Sequence, residues 1–385
     1  MANTSYAYAV GNVRAHETTL LSRQDLDQLL GIRESARLAA ALQDKGYGTE
    51  GGDIDTLLKQ ETDKLWEYLR GVTPDLSLYN AFLYRNDYHN AKVILKGVLR
   101  NRPYEGLLLH PGTVEPAALE AAVKEKKYAP LPAHMRQALE RSYQLLTETS
   151  DTQRSDAVLD TAAMAAMLAA AEETRIPMLL DLMRTTVFYS DVKTALRAAR
   201  TRRGGEFLDL ALCPVDRLEL PELKKAALTG ESELIGYLEQ KDLYSSREAM
   251  TAYRESPSAF EKWVDDRLME IARQGRRVTM GPEALIGYLL GKETEIKAVH
   301  ILASGLRAGQ PEEARRFRSL TGGEYGVIYV TEELYTLLDK EIKKLDEQPL
   351  PAVIPIPGLT GNTGIGLRRL SESVERAVGS DIIFG

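Results

Sequence analysis

The chain has 385 residues, 44% of them hydrophobic and 27% charged, and a net charge of −7; this is globular composition with material for two or three domains of roughly 100–200 residues each. Lysine and arginine are spread without a basic block, which argues against nucleic acid or anionic lipid as a main partner. Cys213 stands alone, which excludes an intrachain disulfide and fits a reducing compartment; no signal peptide is expected at the N-terminus, and the longest apolar run, 162–171, falls short of the ~20 residues that span a bilayer.

Up to about residue 318 the chain reads as helix after helix. Apolar residues recur at three- and four-residue spacing over 18–33, 54–69, 74–100, 115–126, 132–149, 156–172, 177–201, 221–230, 232–240, 247–253, 257–272 and 281–306. Asp53, Thr73, Ser246 and Ser256 stand where N-caps belong, and Pro74, Pro132, Pro177 and Pro257 suit a first helical turn. No stretch here alternates with period two. The tail reads differently. Gly326-Val-Ile-Tyr-Val330 is a β-branched and aromatic run, 331–345 a charged helix, and Pro351-Ala-Val-Ile-Pro-Ile-Pro357 a second short strand. A Gly/Thr/Asn loop, 358–366, and a last helix, 367–378, follow. Strand–helix–strand–helix order predicts a parallel βαβ unit, with Gly322-Gly323 as the hinge before it.

Three helices carry related segments. His89-Asn-Ala-Lys-Val-Ile-Leu-Lys96 aligns with Ser190-Asp-Val-Lys-Thr-Ala-Leu-Arg197 and with Thr294-Glu-Ile-Lys-Ala-Val-His-Ile301. A polar residue stands at Asn90, Asp191 and Glu295, and a lysine two later at Lys92, Lys193 and Lys297. Apolar positions follow on one helical face, off which the lysines lie: Ala91, Val192, Ile296; Ile94, Ala195, Val299; Val98, Ala199, Ala303. Offsets of 101 and 104 residues predict three similar helical subdomains around a pseudo-threefold axis. Chance likeness between amphipathic helices is the competing reading.

The first copy sits in Leu83-Tyr-Arg-Asn-Asp-Tyr-His-Asn-Ala-Lys-Val-Ile-Leu-Lys96, followed by Leu108-Leu-His-Pro-Gly-Thr113. This stretch resembles the signature of the C subunit of archaeal and bacterial V/A-type ATPases. Tyr6-Ala-Tyr-Ala-Val-Gly-Asn-Val-Arg14 is similar to that family's start, and Gly281-Pro-Glu-Ala-Leu-Ile-Gly-Tyr-Leu-Leu290 with Glu295-Ile-Lys297 to its last repeat. The resemblance covers residues 1 to about 318. Tyr325-Gly-Val-Ile-Tyr-Val-Thr-Glu-Glu333, Leu350-Pro-Ala-Val-Ile-Pro-Ile-Pro-Gly358 and Ser373-Val-Glu-Arg-Ala-Val-Gly-Ser-Asp-Ile382 are similar to the second half of the F subunit of the same machine. The F subunit opens with a strand, a helix and a strand, whereas 306–325 has room for one helix at most, 311–320.

The resemblance implies a mainly α body, 1–318, of three pseudo-equivalent subdomains in a funnel-like arrangement, and a partial α/β segment, 319–385. It implies a non-catalytic central-stalk subunit, without cofactor or metal, peripheral on the cytoplasmic face of the cell membrane. Its partners would be the proteolipid rotor ring and the D and F proteins of the central axle, and its work torque transmission for ATP-coupled H+ or Na+ transport. A helical scaffold or adaptor unrelated to ATPases is the alternative. The basic turns that end the repeat helices give candidate contacts at Arg100, Arg102, Arg202, Arg203 and Arg307.

A search for chemistry agrees with a non-enzyme. His16, His89, His110, His134 and His300 show no metal-ligand spacing. Cys213, before Pro214, reads as a small buried side chain. Gly358-Leu-Thr-Gly-Asn-Thr-Gly-Ile-Gly366 lacks the Gly-Lys-Ser/Thr ending of a P-loop and the third glycine of a dinucleotide fingerprint; it reads as a loop entering a helix, with weak anion binding near Arg368 and Arg369 as the lesser reading. An isolated two-stranded parallel unit buries little. The tail is therefore expected to be loosely held, to dock on the body, or to borrow strands from another chain. Amide exchange at Val327–Val330 as slow as in the helical core, in an undocked monomer, would refute this.

Overall fold

The computed structural model describes residues 5–307, 317, 320, 327–343, 345, 352–358, 364, 365 and 368. Fifteen helices are described in the body: α1 (Ser5–Glu17), α2 (Arg23–Leu30), α3 (Ser35–Asp44), α4 (Ile54–Val72), α5 (Asn80–Arg100), α6 (Pro116–Glu125), α7 (Ala133–Thr149), α8 (Thr152–Thr174), α9 (Pro177–Thr201), α10 (Gly205–Ala211), α11 (Leu220–Thr229), α12 (Glu231–Lys241), α13 (Ser246–Glu255), α14 (Pro257–Arg273) and α15 (Glu283–Arg307). The described tail holds β1 (Val327–Thr331), α16 (Glu332–Leu337), α17 (Asp339–Ile342) and β2 (Ala352–Ile356). The fold is mainly α with a small α/β segment. No described helix is long and apolar enough to cross a membrane.

Capping explains where the helices differ from the sequence pattern. The expected helix 18–33 is shorter in the structure: α2 spans only Arg23–Leu30, after the turn at 18–22 that follows α1. Ser22 closes a capping box there: its hydroxyl accepts from the Asp25 N–H while the Asp25 carboxylate accepts from the Ser22 N–H. Helices α1, α3 and α10 have no counterpart among the expected ones. Asp53 and Ser256 cap as predicted, accepting from Thr56 N and Ala259 N. Thr73 does not cap. Its hydroxyl bonds the Tyr79 hydroxyl at 2.7 Å, and a 3-10 turn, Leu76–Tyr79, precedes α5. Ser246 lies inside α13, donating to Leu238 O at 2.6 Å, because the left-handed Ser245 precedes it. The charged tail helix breaks at Leu338 into α16 and α17. Apart from residues 317, 320 and 368, the expected helices 311–320 and 367–378 lie outside the described residues, as do the 318/319 boundary, the Gly322-Gly323 hinge and most of the 358–366 loop.

Two compact units divide the chain: Met1–Leu20 with Thr62–Thr294, and Leu21–Glu61 with Glu295–Gly385. Two helical cores of the first unit are described. One joins α5, α6, α7 and α8 around Ile94, Leu119, Met135 and Leu139. The other joins α9 and α11–α14 around Val192, Leu223, Leu234 and Phe260. The second unit holds a third helical core, in which Val299, Leu302 and Ala303 of α15 meet Leu38, Leu42 and Leu57 from the N-terminal part of the chain. Burying each such leucine or isoleucine contributes about 1.5–3 kcal/mol.

Each core contains one of the three related helices, and in each the aligned polar residue is buried. Asn90 accepts from Leu109 N at 2.8 Å and donates to Leu109 O at 2.9 Å. Asp191 accepts from Cys213 N at 3.0 Å. Glu295 accepts from Leu21 N and from the Tyr47 hydroxyl, the latter at 2.6 Å. Burial, and then the Glu295 charge, push the Tyr47 hydroxyl far up, which keeps it a donor. The motif thus pins a backbone amide of a neighbouring loop to the helix three times. The third pin reaches a residue 274 positions away. Two of the repeat lysines span the same sequence distance: Lys92 pairs with Asp160 and Lys193 with Glu261, each 68 residues on.

In the tail, β1 and β2 pair in parallel, Val327 opposite Ala352 through Thr331 opposite Ile356. Ile328 and Val330 are buried with Phe317, Tyr335, Leu338 and Ile342.

Asp191 makes the second pin pH-dependent. Burial raises its carboxyl to about 8, against a smaller opposing pull from the Cys213 N–H. Between about pH 4 and 8 the folded state keeps a proton that the unfolded state sheds, so its contribution to stability falls as pH rises. Asn90 shows that an amide serves at this position. Asp191→Asn is therefore expected to stabilise the protein at pH 8 relative to pH 5, by up to about 1.4 kcal/mol per pH unit of slope removed, read as the difference between variant and wild-type denaturant midpoints at the two pH values.

Candidate interaction surfaces

The polar side of α5 grips the loop that follows it. Asn86 donates to Pro111 O at 2.8 Å. Asp87, fully buried, accepts from Thr113 N at 2.9 Å, from the Thr113 hydroxyl at 2.6 Å and from Val114 N at 3.1 Å. His89 Nε2 lies 3.0 Å from Leu107 O, and Asn90 holds both backbone groups of Leu109. Burial raises the Asp87 carboxyl while these donors oppose it. Gly112 passes so close that a Cβ there would collide with Asp87. The network holds two leucines in solvent, Leu107 at 62% and Leu109 at 41% exposure. The matching loop of the second core does the reverse and buries Leu212 and Cys213. An apolar tip fixed outward by buried polar groups is a candidate contact surface.

The basic helix ends are built alike. Asn101 (φ 49°) and Arg202 (φ 52°) turn left-handed after α5 and α9, and the next amides, Arg102 N and Arg203 N, donate to Gly97 O and Ala198 O at 3.0 and 2.9 Å. The side chains of Arg100, Arg102, Arg202 and Arg203 are thereby left exposed. Arg203 hydrogen-bonds Gln153 and lies over the Phe207 ring, 5.8 Å from its centroid. Arg307 ends α15, and its side chain is outside the described residues.

Among the four described side chains of this set, Arg203 alone lines a groove of ≈ 630 Å³ between α8 and α9. Its α8 wall runs from Gln153 to Met167 at helical spacing, about 21 Å of helix. Small side chains, Ala157, Ala163 and Ala198, leave the space, and Met164 and Met167 give it an apolar floor. Arg85, Arg197 and Arg203 face it together with Asp156 and Asp160, which pair with Lys96 and Lys92. Nothing in the helical spacing of these α8 residues announces an open groove. An apolar floor with charges of both signs above suits an amphipathic helix.

His16, His134 and Cys213 are packed into the fold. His16 stacks on Tyr68 at 3.9 Å, and His134 packs against Tyr84 and Tyr88, with burial lowering its ring below the usual range. Burial, and then Asp191, push the Cys213 thiol up to about 12, which keeps it protonated. Among the described residues no group of three or more His, Cys, Asp or Glu is placed to hold a metal ion.

The ATP synthase (C/AC39) subunit family matches residues 9–317, and the ATP synthase (F/14-kDa) subunit family matches residues 295–374. The C subunit of the V-type sodium ATPase of Enterococcus hirae is 23% identical over 315 residues, 77% of this chain and 92% of that protein. The C subunit of the V-type ATP synthase of Thermus thermophilus is 25% identical over 335 residues, 80% of this chain and 97% of that protein. The F subunit of the V-type ATP synthase of Clostridium perfringens is 42% identical over 77 residues, 19% of this chain and 71% of that protein. The two family matches overlap at residues 295–317. The described part of that overlap is committed to the third helical core through Val299, Leu302 and Ala303.

Removing a carboxylate or amide from the α5 network strands buried amides. Asp87→Ala and Asn90→Ala are each expected to cost about 1–3 kcal/mol and to speed limited proteolysis within residues 104–113 selectively, with cleavage sites mapped by mass spectrometry.

Proposed function

We propose, because the chain belongs to the ATP synthase (C/AC39) subunit family and ends in a segment matched by the F/14-kDa subunit family, that it is a non-catalytic central-stalk subunit of a rotary V/A-type ATPase. In this reading it joins the proteolipid rotor ring to the D–F axle. It passes torque between ATP turnover and the transport of H+ or Na+, as a peripheral protein on the cytoplasmic face of the membrane. The observation that carries the proposal is the extent of the match to the C subunits, which spans 92% of the E. hirae protein and 97% of the T. thermophilus protein.

The physical reading supports it. A torque-bearing part needs stiffness, and three helical cores with buried polar pins supply it. Contacts that hold a partner need exposed, pre-organised groups. Arg100, Arg102, Arg202, Arg203 and Arg307 supply charge, the Leu107–Leu109 tip supplies apolar area, and the α8–α9 groove fits a helix of the axle. Carrying an F-type segment on the same polypeptide raises its effective concentration near this site.

Purified chain is expected to bind both a detergent-solubilised rotor ring and an isolated D–F axle in size-exclusion and pull-down experiments. Charge reversal at Arg102 and Arg203 is expected to weaken at least one of the two contacts by about tenfold. Failure to bind either partner would remove the stalk reading.

A further inference from the structure

The α8–α9 groove carries charge in an order that its partner must match. Every residue that lines it is described. Its two carboxylates are already taken: Asp156 pairs with Lys96 and Asp160 with Lys92, both from α5. Its three arginines, Arg85, Arg197 and Arg203, are exposed and form no ion pair among the described residues. Arg203 bonds the neutral Gln153 side chain. Arg85 has one carboxylate within electrostatic reach, Glu293, which burial holds above the usual carboxylate range. The groove therefore presents positive charge on a chain whose net charge is −7.

The arginines stand at opposite ends of the apolar floor. Arg203 holds Gln153, at the start of the α8 wall. Only Arg175 and Ile176 separate α8 from α9, so the end of α9 that carries Arg197 lies beside the start of α8. The Lys96–Asp156 and Lys92–Asp160 pairs set α5 antiparallel to α8. Carried on past the second pair, that register places Arg85 level with Met167, where the wall ends. The floor between the ends is Ala157, Ala163 and Met164. A single small anion cannot span the roughly 21 Å of helix from one end to the other. A basic helix would meet three like charges and two carboxylates already paired.

We infer that the α8–α9 groove selects an acidic amphipathic helix, apolar along the face that lies on Met164 and the alanines, with carboxylates at both ends about 14 residues apart. One end meets Arg85 and the other meets Arg197 and Arg203. This deepens the stalk reading and rests on it for the partner that carries the helix, while the groove sets the helix's chemistry. Arginine suits the task, since its planar fork takes a carboxylate through two parallel hydrogen bonds. The apolar face supplies contact area, and the charged ends fix the register of the bound helix and reject basic competitors.

Two fluorescein-labelled helical peptides of about 18 residues test this by fluorescence anisotropy with the full-length chain. They share one apolar stripe, and one carries glutamates at both ends where the other carries lysines. The acidic peptide is expected to bind with a micromolar dissociation constant, and the basic one at least about tenfold more weakly. Arg85→Glu combined with Arg197→Glu reverses an exposed charge at each end of the groove. This double variant is expected to invert the preference, a result that misfolding would not give. Equal binding of the two peptides, or an unchanged preference in the double variant, overturns the inference. So does a chain that binds neither peptide, as it would if its own residues filled the groove. The stalk reading fails separately. A chain that takes the acidic peptide but neither the rotor ring nor the D–F axle keeps the groove's selectivity and loses that reading; one that binds the axle without distinguishing the peptides does the converse.

Discussion

A helix and the loop beside it stay together only if the loop's backbone amides find acceptors away from water, and this chain solves that problem the same way three times. A buried polar side chain, Asn90, Asp191 or Glu295, reaches from the core face of a helix to the N–H of Leu109, Cys213 or Leu21. Leaving such an amide unpaired costs more than the bond gains, so the helical cores depend on these contacts out of proportion to their number. The chemistry varies while the job does not. An amide donates as well as accepts, a lone carboxylate takes a raised pKa in exchange for burial, and a longer carboxylate takes a tyrosine hydroxyl as its second partner.

The three copies are alike in their pins and unlike at their surfaces. The first uses four polar side chains to hold Leu107 and Leu109 outward, while the second turns Leu212 and Cys213 inward and leaves its open space between α8 and α9. The third takes its loop amide from the start of the chain and its helix from the end of the body. The scaffolding of the copies is alike, and their exposed faces differ.

The tail obeys a different constraint. Parallel strands leave amides and carbonyls on both edges, and two strands give too few internal partners to satisfy them. Among the described residues the same polypeptide therefore carries both packed helical cores and a sheet of two strands. The helix between residues 295 and 307 cannot open the α/β segment as well, because Val299, Leu302 and Ala303 are already buried in the helical body.

Most of the helices were legible in the residue pattern, because the spacing of apolar residues reports which face is buried whatever that face packs against. The parallel pair was legible too, because βαβ order leaves little other choice, and so was the repeated polar position at Asn90, Asp191 and Glu295. Thr73 and Ser246 were misread as caps, and α2 was begun too early, at residue 18, because a hydroxyl's role depends on which donor or acceptor the chain brings to it. Packing in three dimensions made the repeated polar residues into buried pins, since the Leu21 amide that Glu295 holds is distant in sequence and near only in space. Packing also set Arg203 beside a groove while Arg100, Arg102 and Arg202 project from helix ends, since a groove belongs to two helices and neither helix's sequence contains it.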